Sequence, residues 1–133
     1  MEWTENCQHG LKWQDDQHKQ LFDNINKLQD SILIGDTGKE VFRENIKFLS
    51  EYIKVHFKEE EHYMAKHGYP RRENHIKEHR HFKEDLKLIV AEYKDNRIDS
   101  SVELLNKLTA WFFNHTQTTD KLLAKFLLKY ENY

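Results

Sequence analysis

Only four glycines and one proline punctuate a chain of 133 residues. That scarcity is the strongest constraint on the fold, because the many short strands of a sandwich or barrel need turn-forming residues between them and long helices do not. The chain is therefore read as all-α, and its length fits one domain spanning residues 1–133. One third of the residues are charged (33%), yet 38% are hydrophobic and 13% aromatic, enough to fill one core if the charges sit on outward faces.

The 21 basic and 23 acidic residues alternate without forming a block, for a net charge of −2. This excludes nucleic acid as an expected partner. No apolar run approaches the roughly 18 residues needed to cross a bilayer, and the opening Met1-Glu2-Trp3-Thr4-Glu5 has neither a basic n-region nor an apolar h-region. A soluble cytoplasmic protein with no membrane partner is expected. Cys7 is the single cysteine and cannot form an internal disulfide; it reads as a small buried hydrophobe.

Apolar residues recur at helical spacing in four segments. Asp15 or Asp16 caps a first helix that runs to about Ile34 and ends at Gly35 and Gly38, with His18, Leu21, Phe22, Ile25, Leu28 and Ile32 inward. Thr37 and Glu40 form a capping box for a second helix that runs to about His67 and stops at Gly68-Tyr69-Pro70. Its inner stripe is Phe42, Ile46, Leu49, Ile53, His56, Glu60 and Met64. The third helix begins after Pro70, continues to about Tyr93, and carries His75, His79, Phe82, Leu86, Ile89 and Tyr93 on one face. Asn96 to Asp99 make the next turn, and Ser100 with Glu103 forms a second capping box. The last stripe is Leu105, Leu108, Phe112 and His115, resuming as Leu123, Leu127 and Tyr130. Such short connections join antiparallel neighbours, so the expected architecture is an up-down-up-down four-helix bundle with an N-terminal lead-in segment.

Nine histidines are the unusual feature of the composition, and His18, His56, His75, His79 and His115 lie on inward stripes. A lone histidine on an apolar face is ordinarily a satisfied core residue; five of them with two inward carboxylates are not. An i,i+4 pair lies about 40° apart on one helix face, the spacing of His56 with Glu60 and of His75 with His79. Glu60, within an apolar stripe, needs a cation or a proton, and a metal ion answers both needs. Asp120 follows His115 by five residues, about 140° away on an ideal helix. A π-bulge in the stretch Thr116-Gln117-Thr118-Thr119 restores its inward phase and makes Asp120 a ligand.

The order Gln17-His18-Lys19-x-Leu21-Phe22, His56-Phe57-x-Glu59-Glu60, Gly68-Tyr69-Pro70, His75-x-x-x-His79 and His115-x-x-x-x-Asp120 resembles the hemerythrin family, particularly the bacterial hemerythrins. The likeness extends from Trp3 to about Tyr130. It implies a non-haem centre of two Fe ions, bridged by oxo or hydroxo. By that resemblance His75, His79 and His115 bind one iron and His18 and His56 the other, with Glu60 and Asp120 bridging. Counting donors then leaves one position open on the second iron, as sites that react with small ligands require. Reversible O2 binding for storage, transport, delivery or sensing is the implied function, without catalysis. The alternative is a di-iron enzyme acting on peroxide or nitric oxide. A sensor needs a separate output partner, since no linker or output domain is seen, and an electron donor or oxygen-using partner is left open.

One departure stands out, because the family usually has an aliphatic residue four positions before the first ligand histidine. Here that place is Gln14, beside Trp13, and these two are the candidates for lining the ligand pocket: either Trp13 takes the aliphatic residue's place through a small shift in the lead-in, or the Gln14 amide enters the pocket. A Gln14 amide there makes the pocket wetter and favours the enzyme reading. His9, His62, His67 and His81 read as solvated, Glu59 and Glu61 as exposed charges, and Trp3 and Trp111 as packing.

Overall fold

The computed structural model describes residues 1–35, 39–94 and 100–131, which contain no strand. Four helices form a bundle: α1 (Lys12–Leu33), α2 (residues 39–67), α3 (Arg72–Lys94) and α4 (residues 100–131), preceded by a lead-in with a 3-10 turn at Glu5–Cys7. Helix α1 packs on α2 and α4, and α3 packs on the same two. Among the described residues no helix is long and apolar enough to cross a membrane.

Two apolar layers enclose a polar one. The larger is built from Leu21, Ile25, Leu28, Leu49, Phe82, Leu108 and their neighbours, and the smaller from Leu11, Met64, Tyr69, Leu123, Ala124 and Leu127. Between them lie the buried histidines and carboxylates. Most expected stripes face inward, with local exceptions. Leu104 is fully buried where Leu105 was expected, and Asn45 and Tyr52 are buried while Ile46 and Ile53 are only partly covered. Tyr130 is exposed and stacks on His67, which is half-buried rather than free in solvent.

Helix α1 starts earlier than expected. Leu11 is its N-cap, and Asp15 lies inside the first turn, where its carboxylate accepts hydrogen bonds from the backbone N–H groups of His9 (2.7 Å) and Gly10 (3.0 Å). A carboxylate bonded to backbone N–H groups just ahead of a helix fixes the entering chain much as a capping box does. Thr37, Gly38 and Asn96 to Asp99 lie outside the described residues, as does the side chain of Ser100, and with them both expected capping boxes and the last turn.

Both helices that contribute a histidine and a carboxylate are interrupted by π turns. In α2 the turn covers Ile53–Phe57, between Lys39–Tyr52 and Lys58–His67; in α4 it covers Phe112–Thr116, between Ser100–Trp111 and Thr119–Glu131. The α4 turn lies a few residues ahead of its expected place, with the Gln117 N–H donating to Phe112 O at 3.0 Å. An extra residue in a turn shifts the inward face by one position. In α2 the result is that His56 and Phe57, adjacent in sequence, are both buried.

Helix α2 ends at Gly68, whose φ of +62° is left-handed, while the Tyr69 N–H closes back onto Met64 O at 2.9 Å. Pro70 prevents continuation. A Cβ at Gly68 would meet nothing within 4 Å, so Gly68→Ala isolates the backbone penalty. It should destabilise the protein by about 1 kcal/mol, and Gly68→Asn by less, as read from thermal melts. An unchanged melting temperature for the alanine variant would show that this helix stop does not depend on the left-handed conformation.

Candidate metal centre

All seven residues expected as ligands meet in the polar layer, each at 2% exposure or less. Helix α1 supplies His18, α2 supplies His56 and Glu60, α3 supplies His75 and His79, and α4 supplies His115 and Asp120. The imidazole Nε2 atoms all point to the two carboxylates. His75 Nε2 lies 3.2 Å from Glu60 Oε1 and 3.0 Å from Asp120 Oδ1, His79 Nε2 3.1 Å from Glu60 Oε1, and His115 Nε2 2.9 Å from Asp120 Oδ1. On the other side, His18 Nε2 lies 2.9 Å from Asp120 Oδ2, and His56 Nε2 is 3.4 Å from Glu60 Oε1 and 3.6 Å from Asp120 Oδ2.

These atoms are not simply hydrogen-bonded to one another. His18, His75 and His79 hydrogen-bond the carboxylates through Nε2, whereas His56 Nε2, His115 Nε2 and Asp120 Oδ1 are left without a hydrogen bond in spite of their close approach. Buried nitrogens and carboxylate oxygens that converge while several of them lack a hydrogen-bond partner are arranged as the ligands of a cation are. Within 4.8 Å limits they fall into two groups, one of Glu60, His75, His79, His115 and Asp120 and one of His18, His56, Glu60 and Asp120. The two carboxylates belong to both. The cluster therefore fits a metal site.

Outside this cluster, three side chains fix which ring nitrogen faces inward. His79 Nδ1–H donates to Glu61 Oε2 (2.8 Å), His115 Nδ1–H to Glu78 Oε1 (2.7 Å), and His56 Nδ1–H to Gln17 Oε1 (2.6 Å). These oxygens can only accept, so each Nδ1 carries the proton and, in the neutral ring, each Nε2 keeps its lone pair for the centre. Gln17 is itself held by donating to Glu59 Oε2 at 2.7 Å, and Glu78 accepts from Thr119 Oγ1 at 2.8 Å. Glu59 and Glu61, expected to be idle surface charges, are thus partners of the site, and Glu78 was not singled out at all. Only their position one turn from a buried histidine across a helix interface could have flagged them.

Aromatic rings wall the layer. Phe57 stacks on His79 at 3.8 Å between centroids, Trp111 on His115 at 3.7 Å, and Tyr52 on His56 at 4.8 Å. Trp13, one of the two pocket candidates, stacks on Tyr63 at 5.2 Å. Gln14 is fully buried and donates from Nε2 to Glu60 Oε2 (2.9 Å) and to the main-chain oxygen of Asp120 (3.2 Å). His9 is half-buried, not solvated: its Nδ1 meets Gln14 Oε1 at 3.3 Å and its ring stands edge-on to His18 at 5.4 Å. His62 and His81 are exposed, and Cys7 is partly buried.

Without a metal the cluster is held by charge. Burial opposes protonation of His75 and His115, but Asp120 and Glu60 outweigh it at His75 and push its pKa up to about 10. At His115 the carboxylates of Asp120, Glu78 and Glu60 raise it to about 9. Burial and the Asp120 charge work to raise the pKa of Glu60, yet His56, His75 and His79 prevail and hold it below the ordinary carboxylate range. Burial likewise disfavours the Asp120 carboxylate, which His115, His18 and His56 keep ionised. Two imidazolium ions then balance two carboxylates.

The hemerythrin HHE cation binding domain is the family whose model this chain matches, over residues 9–127. The chain is 30% identical to a bacteriohemerythrin of Methylococcus capsulatus over 113 residues, 85% of each chain. It is 31% identical to a bacteriohemerythrin of Pseudomonas aeruginosa over 120 residues, 89% of this chain and 75% of the relative. Similarity extends to a myohemerythrin of Theromyzon tessulatum, 29% identical over 119 residues, covering 90% of this chain and 87% of that one.

The charge balance has a measurable consequence in the metal-free protein. His75 and His115 have folded pKa values above the ordinary 6.5, so the stability they add is full below about pH 6.5 and is lost as pH rises through about 9 to 10. The melting temperature of metal-free protein should fall across that window. A divalent metal must displace the same protons, so titrating Zn²⁺ into weakly buffered protein near pH 7.5 should release about two protons per chain. Metal uptake without proton release would contradict a cluster built on two imidazolium ions.

Proposed function

The chain belongs to the hemerythrin family, and on that premise we propose that its buried cluster holds two non-haem irons and binds O2 reversibly. The observation that carries this reading is the sharing of Glu60 and Asp120 between two donor groups of unequal size, one with three histidines and one with two. His75, His79 and His115 would hold one iron and His18 and His56 the other, with Glu60 and Asp120 available to both. With the carboxylates shared equally, the two-histidine group would offer its iron one protein donor fewer, leaving room there for a small ligand. A ferrous pair held there would supply the electrons for reversible O2 binding.

The protein's own part is to hold donors and keep water out. Glu61, Glu78 and Gln17 hold three imidazoles in the tautomer that presents Nε2. Phe57, Trp111 and Tyr52 lie flat on three of the same rings, so solvent does not reach them from those sides. Both Gln14 Nε2 hydrogens are engaged by Glu60 and Asp120, so the amide has no free donor for a bound ligand and lends no support to an enzyme consuming peroxide or nitric oxide. A single cysteine supports a reducing, cytoplasmic setting.

Anaerobic reconstitution with Fe²⁺ should load two irons per chain by elemental analysis. Admitting O2 should then produce a visible absorption band that vanishes when O2 is removed, over repeated cycles. One iron per chain, or a spectrum that changes once and never returns, would overturn the reading. His115→Ala should reduce iron content and leave the helical circular dichroism of the metal-free protein in place.

A further inference from the structure

Gln14 touches both carboxylate residues of the cluster, although neither the histidine and carboxylate spacing nor its own residue type requires it to. Its Nε2 donates to Glu60 Oε2 on α2 and to the backbone oxygen of Asp120 on α4, at 2.9 and 3.2 Å. Its Oε1 faces His9 Nδ1 at 3.3 Å. The amide is fully buried and cannot be turned over, because the reversed orientation would set its carbonyl against the Glu60 carboxylate and the main-chain oxygen of Asp120, both of which can only accept. His9 in turn is held by the lead-in: its backbone N–H and that of Gly10 donate to Asp15. Gly10 has a φ of +98°, and a Cβ there would come to 3.4 Å from Leu128.

Glu60 divides its two oxygens between different neighbours. Oε1 meets His56, His75 and His79, whereas Oε2 meets Gln14 alone among the hydrogen bonds described for it. We propose that Gln14 is a positioning residue that clamps Glu60 through Oε2 and thereby biases the metal pair toward its reduced state, with His9 as the group that fixes the amide. A hydrogen bond to a ligating carboxylate orients it and withdraws electron density from it. Orientation strengthens binding of either oxidation state, and the weaker donor disfavours the more highly charged one. Loss of the clamp should cost ferrous ion more affinity than ferric ion. This inference rests on the di-iron reading above.

The test uses the full chain and three variants: Gln14→Met, which keeps the length and removes the amide, Gln14→Asn, which withdraws the amide by one carbon, and His9→Phe, which keeps a ring beside His18 without a donor. Zn²⁺ affinity should fall roughly 10- to 100-fold in Gln14→Met. The midpoint potential of the iron-loaded variant should drop, by about 59 mV per electron for each tenfold excess of ferrous over ferric loss. Gln14→Asn should shift the same way and carries the test if Gln14→Met does not fold; His9→Phe should shift less. A wild type that takes up neither zinc nor iron overturns both readings. A wild type that loads two irons while both Gln14 variants match it in zinc affinity and midpoint, or show a raised midpoint, overturns this inference and leaves the di-iron reading standing. His9→Phe indistinguishable from wild type overturns the part assigned to His9.

Discussion

Two carboxylates, Glu60 and Asp120, are buried without any exposure and share the same neighbours. Ions of like charge in a low-dielectric layer repel and have lost their water, so neither is tolerable unless cations or strong donors surround it. Everything near them answers that demand. Five imidazoles from all four helices turn Nε2 toward the pair, and in the metal-free state two of those rings carry the balancing protons. Apolar packing alone does not specify how four helices rotate about their axes, since Leu, Ile and Phe tolerate small rotations. A polar layer with named partners does, because each helix must deliver its donor at one depth and one angle.

That demand explains the two π turns. One contains His56 and the other His115, and each lies between a segment facing the larger apolar layer and a segment carrying the carboxylate. A π turn is less favourable than a regular one, and such turns gather where a site compensates for them. The stacking of Tyr52 on His56 and of Trp111 on His115 shows the local gain: widening the turn keeps an aromatic ring flat against the imidazole that follows it by four residues.

The residues themselves show why some of this was legible in the sequence. His56 with Glu60 and His75 with His79 are i,i+4 pairs on apolar stripes, and such spacing survives any detail of packing. The α4 irregularity was visible because His115 and Asp120 are out of helical phase. The α2 irregularity was not: Leu49, Ile53, His56 and Glu60 already satisfy a regular helix, and only the structure reveals Tyr52 and Phe57 buried in place of Ile53. Gln17, Glu61 and Glu78 were missed because a half-exposed polar residue that meets a ring on another helix has no periodic signature. Gln14 was noticed as an oddity, but its partners, 46 and 106 residues away, are tertiary facts.

The outer partners are also unequal across the cluster. In the three-histidine group, His79 and His115 lean on carboxylates, Glu61 and Glu78, and the charge of each makes its imidazole the stronger donor. In the two-histidine group, His56 leans on the neutral amide oxygen of Gln17, and His18 Nδ1 has no hydrogen-bond partner, as is true of His75 Nδ1 in the first group, so two imidazoles on one side and none on the other are backed by a carboxylate. The half with more histidines therefore also has the more electron-rich ones. Under the di-iron reading, the iron held there has the ligands that best stabilise added positive charge, and the other iron has fewer and weaker ones. A ligand that must arrive and leave is served by the second arrangement, and a metal that must stay is served by the first.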